Sequence, residues 1–153
     1  MAKSGDNSKK ALIGALNGAL ADHIALYIKT KSFHWHVAGP RFRDLHLLFD
    51  EHARELVGLV DLIGERVRKN EAATLTSVGS VAKATRIKDQ DSTGMKADKM
   101  VAELRDDNVA LLGRLREVKE AAEEAGDFAT SGLVDGWIDV AEQRVWFLSE
   151  TLK

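Results

Sequence analysis

The sequence predicts an all-α protein: a bundle of four long helices, with a long crossover carrying a short helix between the second and the third. Apolar residues recur at helical spacing in four separate stretches, and no segment shows the alternation of a strand. The chain contains a single proline, Pro40, so little interrupts long helices. Its 153 residues, 44% hydrophobic and 30% charged, suit one soluble globular domain that buries a core.

The four apolar stretches cover residues 12–28, 45–67, 101–122 and 133–152. Gly39 and Pro40 separate the first stretch from the second, since glycine suits the end of a helix and proline the start of the next. Gly126 and Asp127 separate the third stretch from the fourth in the same way. The sequence therefore predicts two helical hairpins.

The link between the hairpins, residues 70–94, is longer than most connections in compact domains. Within it, residues 81–84 (Val-Ala-Lys-Ala) predict a short helix. A link of this length can run along helices of about 40 Å and join two antiparallel hairpins. This is the ferritin-like arrangement of a four-helix bundle, which we assign to residues 11–153.

Residues 1–10 are polar and predict a flexible basic tail containing Lys3, Lys9 and Lys10. A solvated terminus is the favoured interpretation, and a phosphate-binding arm is the alternative. The formal net charge of −2 argues against a body that binds polyanions generally. No apolar run approaches the roughly 18 residues of a membrane span. The absence of cysteine leaves histidine, aspartate and glutamate as the metal ligands.

Five side chains are candidate metal ligands: His34, His46, Asp50, Asp61 and Glu65. Four of them fall in the second helix, where 100° per residue places them on one polar stripe beside the apolar face. A merely solvated stripe would normally intersperse lysine or arginine among the acids.

Spacing sorts the five into two groups, His46 with Asp50 and Asp61 with Glu65, each pair one turn apart. Asp50 and Asp61 lie about 16 Å apart along a helix, and ligand bonds of about 2 Å cannot span that distance. A two-fold axis between antiparallel copies would bring the first group of one chain, joined by His34, opposite the second group of the other. Mixed nitrogen and oxygen ligands suit iron, and also zinc or manganese.

Each candidate also has a purely structural interpretation. Taken alone, His46 would be a hydrogen-bonded residue of an interface, and the two acids of the second group would pair with Arg54, Arg66 or Lys69. A di-iron site within one chain is disfavoured, because no histidine has a glutamate three residues before it. The stripe and the two-group spacing together favour the metal interpretation.

A longer pattern gives the sequence a family resemblance. The residues that carry it are Lys31, His34, Trp35, Val37, Gly39, Phe42, Leu45, His46, Phe49, Asp50, Glu51, Asp61, Glu65 and Arg66, with Val145, Trp146 and Phe147 near the end. In type and spacing they resemble the Dps family, the miniferritins known as DNA-binding proteins from starved cells. The resemblance covers nearly the whole chain.

The resemblance implies a hollow shell of twelve subunits with ferroxidase centres at two-fold interfaces. His34, His46 and Asp50 would come from one subunit, and Asp61 and Glu65 from its neighbour. It implies oxidation of Fe(II), preferably by hydrogen peroxide, and storage of the ferric mineral inside the shell. The expected location is the cytoplasm, in association with nucleoid DNA.

The resemblance also suggests roles for residues outside the ligand set. Trp35 would quench oxidising equivalents near the iron. Acidic residues at the start of the fourth helix would line pores for iron entry, with Asp127 and either Glu123 or Glu124 as the candidates. We interpret Trp137 as a core residue, and His23, His36 and His52 as structural.

Two other functions compete with iron storage. A protein that chiefly compacts DNA would depend on its basic tail, Lys3, Lys9 and Lys10, rather than on the five ligands. A zinc-bridged assembly without catalysis is the third possibility, although five ligands exceed what a tetrahedral zinc site requires.

Overall fold

The computed structural model describes residues 4–153, and its helices confirm the predicted four-helix bundle with a helical crossover. The elements are α1 (Ser4–His36), α2 (Phe42–Gly58), α3 (Val60–Lys69), α4 (Val78–Ala84), α5 (Ala97–Glu124) and α6 (Phe128–Thr151). Helices α1 and α2–α3 form one hairpin, and α5 and α6 form the other. No strand occurs in the part of the chain that the structure describes.

Helix α1 begins at Ser4, so residues 4–10 are helical rather than part of the flexible tail that the sequence predicts. No proline interrupts this segment, and Asn7, Lys9 and Lys10 are exposed on it. The segment from Asn7 to His36 is long and apolar enough to cross a membrane, but half of its most apolar window is buried inside the bundle. A central helix of a bundle passes the same test, because one of its faces carries core residues such as Leu12 and Leu16.

The predicted second helix is interrupted at Leu59, which divides it into α2 and α3. The Leu59 amide bonds the carbonyl of Leu56, three residues back, and the ordinary pattern resumes where Ile63 bonds Leu59. Gly58, a poor helix former, immediately precedes the break. The bend separates the helix that carries Asp50 from the helix that carries Asp61.

The crossover carries α4, which begins at a capping box. The Ser77 hydroxyl accepts a hydrogen bond from the Ser80 amide, and the Ser80 hydroxyl accepts one from the Ser77 amide. Beyond α4, Asp22 of α1 accepts hydrogen bonds from the Thr85 hydroxyl and the Arg86 amide. These hydrogen bonds hold the crossover against α1.

The loops between the long helices turn where the sequence predicts. Gly39 has φ 109° and Gly126 has φ 72°, backbone conformations that favour glycine. Asp127 caps α6 by accepting a hydrogen bond from the Thr130 amide. Trp137 is 5% exposed, in agreement with its predicted place in the core.

The bundle interior also contains polar side chains. His23 is fully buried, and its Nδ1–H donates to the Ala19 carbonyl. Arg144, also fully buried, donates to the side chains of Asn108 and Glu55. Burial, with a contribution from the charge of Arg144, lowers the pKa of His23 and of the buried His52 to about 4.

Candidate metal centre

His34, near the end of α1, and His46, on α2, form a stacked pair with ring centroids 3.8 Å apart. Nδ1 of His34 lies 2.5 Å from the carbonyl oxygen of His46, and Nδ1 of His46 lies 2.8 Å from the carbonyl oxygen of His34. Because a carbonyl only accepts, both Nδ1 atoms carry the proton. This leaves Nε2 as the nitrogen of each ring that can bind a metal when the ring is neutral, as in histidines that bind metals through Nε2.

Asp50 lies one turn after His46 on α2, with one carboxylate oxygen 4.0 Å from Nε2 of His34. Its two oxygens are held by different cations: Oδ1 lies 2.8 Å from Nζ of Lys31, and Oδ2 lies 2.8 Å from Nη2 of Arg54. The hydrogen bond from Lys31 lowers the pKa of Asp50, against a smaller effect of desolvation, and the charge of Arg54 lowers it further. His34, His46 and Asp50 thus form a first half-site, whose carboxylate is ionised.

Asp61 and Glu65 lie one turn apart on α3 and are both exposed. Among residues 4–153, Asp61 makes no hydrogen bond or ion pair, and Glu65 has only Lys69 at 4.0 Å. Their other potential partners are engaged elsewhere, since Arg54 contacts Asp50 and Arg66 contacts Asp127. Two largely unpaired carboxylates therefore form a second half-site.

The second half-site borders a groove of about 510 Å³ between α1, α3 and the crossover. Its apolar lining residues are Leu20, Ile24, Ile28, Val60, Leu75, Val78 and Val81. Ile28 is 57% exposed and Val78 is 85% exposed, which is unusual for aliphatic side chains grouped together. The carboxylates of Asp61 and Glu65 thus lie beside an uncovered apolar surface.

The two half-sites do not meet within one chain. Across residues 4–153, no group of three or more histidine and carboxylate side chains is arranged to hold a metal ion. The structure groups His34, His46 and Asp50 on α1 and α2, and it leaves the carboxylates of α3 separate. A complete five-ligand centre would need the second half-site of another molecule.

The candidate pore residues lie at the turn between α5 and α6. Asp127 accepts hydrogen bonds from Thr130 and Asn70 and pairs with Arg66 at 2.9 Å. Although desolvation opposes ionisation, these contacts hold the pKa of Asp127 well below its usual range. Its side chain is only 11% exposed, so within one chain it serves as the cap of α6. Glu124, at the end of α5, is exposed.

The remaining candidates are at the surface. Trp35 is 64% exposed, and Nζ of Lys31 lies 5.9 Å from the centre of its ring. Lys9 and Lys10 are exposed on α1, whereas Lys3 lies outside the described residues.

Lys31 and Arg54 pair with Asp50, a contact that sequence reasoning did not assign to either residue. Arg54 follows Asp50 by four residues, the spacing of a helical ion pair, and this signal is readable from the sequence.

The chain is similar to known proteins over nearly all of its length. Residues 13–153 match the family model described as a ferritin-like domain. A DNA protection during starvation protein of Brevibacillus brevis is 33% identical over 138 residues, which cover 90% of this chain and 92% of that protein.

Two crystal structures show the same fold. The first, of a Dps protein from Bacillus brevis, superimposes with a TM-score of 0.92 at 31% identity and covers all of both chains. The second, of a Dps protein from Vibrio cholerae O1, gives a TM-score of 0.90 at 31% identity and covers 96% of this chain and 92% of the other.

Proposed function

This chain belongs to the Dps family of ferritin-like proteins, and from that membership we propose that it oxidises Fe(II) at centres shared between two copies and stores the ferric product. The Vibrio cholerae relative is described as a member of a superfamily of ferritin-like diiron-carboxylate proteins. The Brevibacillus brevis relative is named for DNA protection during starvation. Iron storage that protects DNA in the cytoplasm is the corresponding function of this chain.

The observation that carries the proposal is the division of the ligands into two half-sites. His34, His46 and Asp50 present two Nε2 lone pairs and an ionised carboxylate, while Asp61 and Glu65 remain largely unpaired. Exposed carboxylates without partners contribute little to a chain's own stability. The two unpaired carboxylates are explained if they bind a metal ion together with His34, His46 and Asp50 of a second molecule.

The apolar groove beside Asp61 and Glu65 supports a second copy as the source of those ligands. Grouped apolar side chains that remain exposed in a soluble protein often mark a protein contact. A two-fold contact uses the same patch on both molecules, so it would cover both grooves and complete two centres at once. A shell of twelve such chains is the assembly that family membership suggests.

Oxidation at this centre would need little chemistry from the protein. Carboxylates are hard anionic ligands that stabilise Fe(III) relative to Fe(II), and neutral imidazoles hold the ion in place. Two Fe(II) ions each give one electron to hydrogen peroxide; its O–O bond breaks, and two protons complete two waters. Both reactants that generate damaging radicals are thereby removed. Zinc and manganese would bind the same ligands and compete with iron.

The decisive experiment tests whether the centre is shared. We expect Asp61→Ala and His46→Ala each to abolish rapid peroxide-driven oxidation of Fe(II), followed by ferric absorbance under anaerobic loading. When the two variants are unfolded, mixed equally and reassembled, a mixed pair contains one centre with both mutations and one intact centre. Random pairing should therefore restore about a quarter of the wild-type activity.

Two controls make the result decisive. Each variant reassembled alone should stay inactive, and wild-type protein treated in the same way should recover its activity. Mixed variants that remain as inactive as the separate ones would place all five ligands in one chain or remove them from catalysis. Oxidation by both single variants at the wild-type rate would refute the assignment of Asp61 and His46 to the centre. Oxidation by wild-type protein no faster than in protein-free buffer would refute the ferroxidase.

Trp35 would act beside this centre. Its exposed ring follows His34 directly and lies next to Lys31, within reach of oxidising equivalents formed near the iron. We propose Asp127 and Glu124 as residues of an iron-entry pore, although Asp127 is largely engaged by Arg66 and Thr130.

DNA binding is the second candidate function, favoured by the exposure of Lys9 and Lys10 on the first turns of α1. Together with Lys3 they would contact phosphates, and repetition over a shell would multiply weak contacts. Gel retardation at several salt concentrations, with and without residues 1–10, tests this function independently of oxidation. Equal retardation of both proteins would exclude these lysines.

A further inference from the structure

Asp50 is held from two sides by cations that are not metals. Nζ of Lys31 contacts one carboxylate oxygen and Nη2 of Arg54 contacts the other, both at 2.8 Å. The side chain of Arg54 is 79% exposed and that of Asp50 is 18% exposed, so the guanidinium reaches the carboxylate from solvent. A guanidinium has only donors and cannot ligate a metal.

The charges of the proposed centre explain why such cations would be useful. Asp50, Asp61 and Glu65 carry three negative charges, and carboxylates brought close together destabilise one another. An imidazole that binds a metal is neutral and does not compensate for this repulsion. Lys31 and Arg54 supply two positive charges next to Asp50, the carboxylate that lies beside the two imidazoles.

We infer that Arg54 is the resident counter-ion of the metal centre, and that its guanidinium occupies Asp50 until a divalent metal ion displaces it. The inference rests on the proposed function, since it concerns the same centre. Metal binding is then an exchange of cations, and the affinity for metal is lower than that of an unopposed set of ligands. Arg54 also reduces the repulsion that a metal-free contact between two copies would otherwise contain.

The position of Arg54 suits an exchangeable group better than a permanent one. It lies one turn after Asp50, so its aliphatic stem remains anchored to α2 when the guanidinium leaves. The same side chain borders a second groove, with Gly58 and Trp137, into which it can turn. Lys31, with a side chain only 22% exposed and a position beside Trp35, is the more enclosed of the two cations.

The competing interpretation is an ordinary helical ion pair that stabilises α2 and has no effect on metal. The two interpretations differ in the sign of one measurement. Removing an ordinary pair leaves metal affinity unchanged or weakens it by disordering Asp50. Removing a counter-ion that competes with the metal strengthens binding.

Cobalt(II) titrated into assembled, chelator-treated protein tests this, because its visible absorption reports ligation without oxidation. The variants are Arg54→Gln, which removes the charge, and Arg54→Lys, which keeps it. Arg105→Gln is the matched control, since Arg105 is paired with Asp106 on α5, a helix that carries none of the five ligands. Circular dichroism verifies that each variant remains folded.

We expect Arg54→Gln to bind cobalt about twofold to fivefold more tightly than the wild type at low salt, within the range of an exposed ion pair. The advantage should shrink toward none at about 1 M salt, where exposed charges are screened. Arg54→Lys should retain most of the wild-type behaviour, and Arg105→Gln should match the wild type.

Cobalt binding by Arg54→Gln that is no tighter than in the wild type would overturn the inference and leave the proposed function standing. Tighter binding that persists unchanged at high salt would also overturn it, because charge would not be the cause. If wild-type protein binds no cobalt, both the centre and its counter-ion are refuted.

Discussion

Histidines occupy two regions of this bundle, and their neighbours differ in charge. Inside the bundle, His23 and His52 lie near Arg144, and the pKa of each is lowered to about 4 by burial and by that charge. At the edge, His34 and His46 lie beside Asp50. Four-helix bundles often build metal sites in their interior, but a fixed guanidinium there repels any metal ion. The interior histidines are thus buried near a fixed cation, whereas the edge histidines lie beside a carboxylate that Lys31 and Arg54 pair with.

The carboxylates show the same difference between interior and edge. Asp22, 2% exposed, accepts hydrogen bonds from Thr85, Arg86 and the nearly buried Arg114. Asp61, on the surface, makes no hydrogen bond or ion pair within residues 4–153. Interior carboxylates of this kind stabilise the chain, whereas the unpaired edge carboxylates remain available for a metal ion.

Removing the interior carboxylate should have the largest effect on stability. Asp22→Ala would leave Arg114 buried without its ion-pair partner, and we expect the free energy of unfolding to fall by roughly 3–5 kcal/mol. Urea denaturation at a fixed chain concentration measures the loss. Asp22→Asn retains an acceptor for Thr85 and Arg86 and should lose less. A loss below about 1 kcal/mol for the alanine variant would contradict a structural role for this pair.

The interior histidine should make stability depend on pH. The pKa of His23 is about 4 in the folded chain, against 6.5 for an unperturbed histidine, so the unfolded chain binds the proton first as pH falls. Stability is therefore retained above pH 6.5 and is lost between 6.5 and about 4. Over this pH range, the titration of His23 lowers the free energy of unfolding by about 3 kcal/mol per chain.

His23→Gln tests this dependence, because glutamine does not titrate. Unfolding free energies at pH 7 and pH 4.5 should differ less in the variant than in the wild type. His52 and every carboxylate are common to both proteins, so the difference isolates His23. Equal pH dependence in the two proteins would mean that His23 does not titrate as its burial implies.

Features of this fold that depend on residues close together in the sequence could be predicted from it. Helical periodicity gave the four long helices, and Gly39 and Gly126 marked the turns. The rise of a helix predicts about 16 Å between Asp50 and Asp61, and the bend at Leu59 does not bring the two groups of ligands together, so the division into two half-sites was predictable from spacing. Family resemblance supplied the expected shell.

Features that depend on residues distant in sequence were not predictable in this way. Arg66 on α3 pairs with Asp127 at the start of α6, and nothing in either local sequence indicates that contact. The bend at Leu59 was missed because one glycine in a helical pattern is often tolerated. The flexible tail was predicted from polarity alone, although residues 4–10 continue α1.

Among these substitutions, a change at Asp61 should have the smallest effect on stability, although it should have the largest effect on Fe(II) oxidation. In metal-free protein, Asp61→Asn should change the free energy of unfolding by less than about 0.5 kcal/mol, since the exposed carboxylate lacks partners. It should nevertheless abolish rapid Fe(II) oxidation. Thermal unfolding in chelator, compared with oxidation kinetics, separates the two effects. A loss of more than about 1 kcal/mol would give Asp61 a structural role like that of Asp22, and the difference between interior and edge carboxylates would disappear.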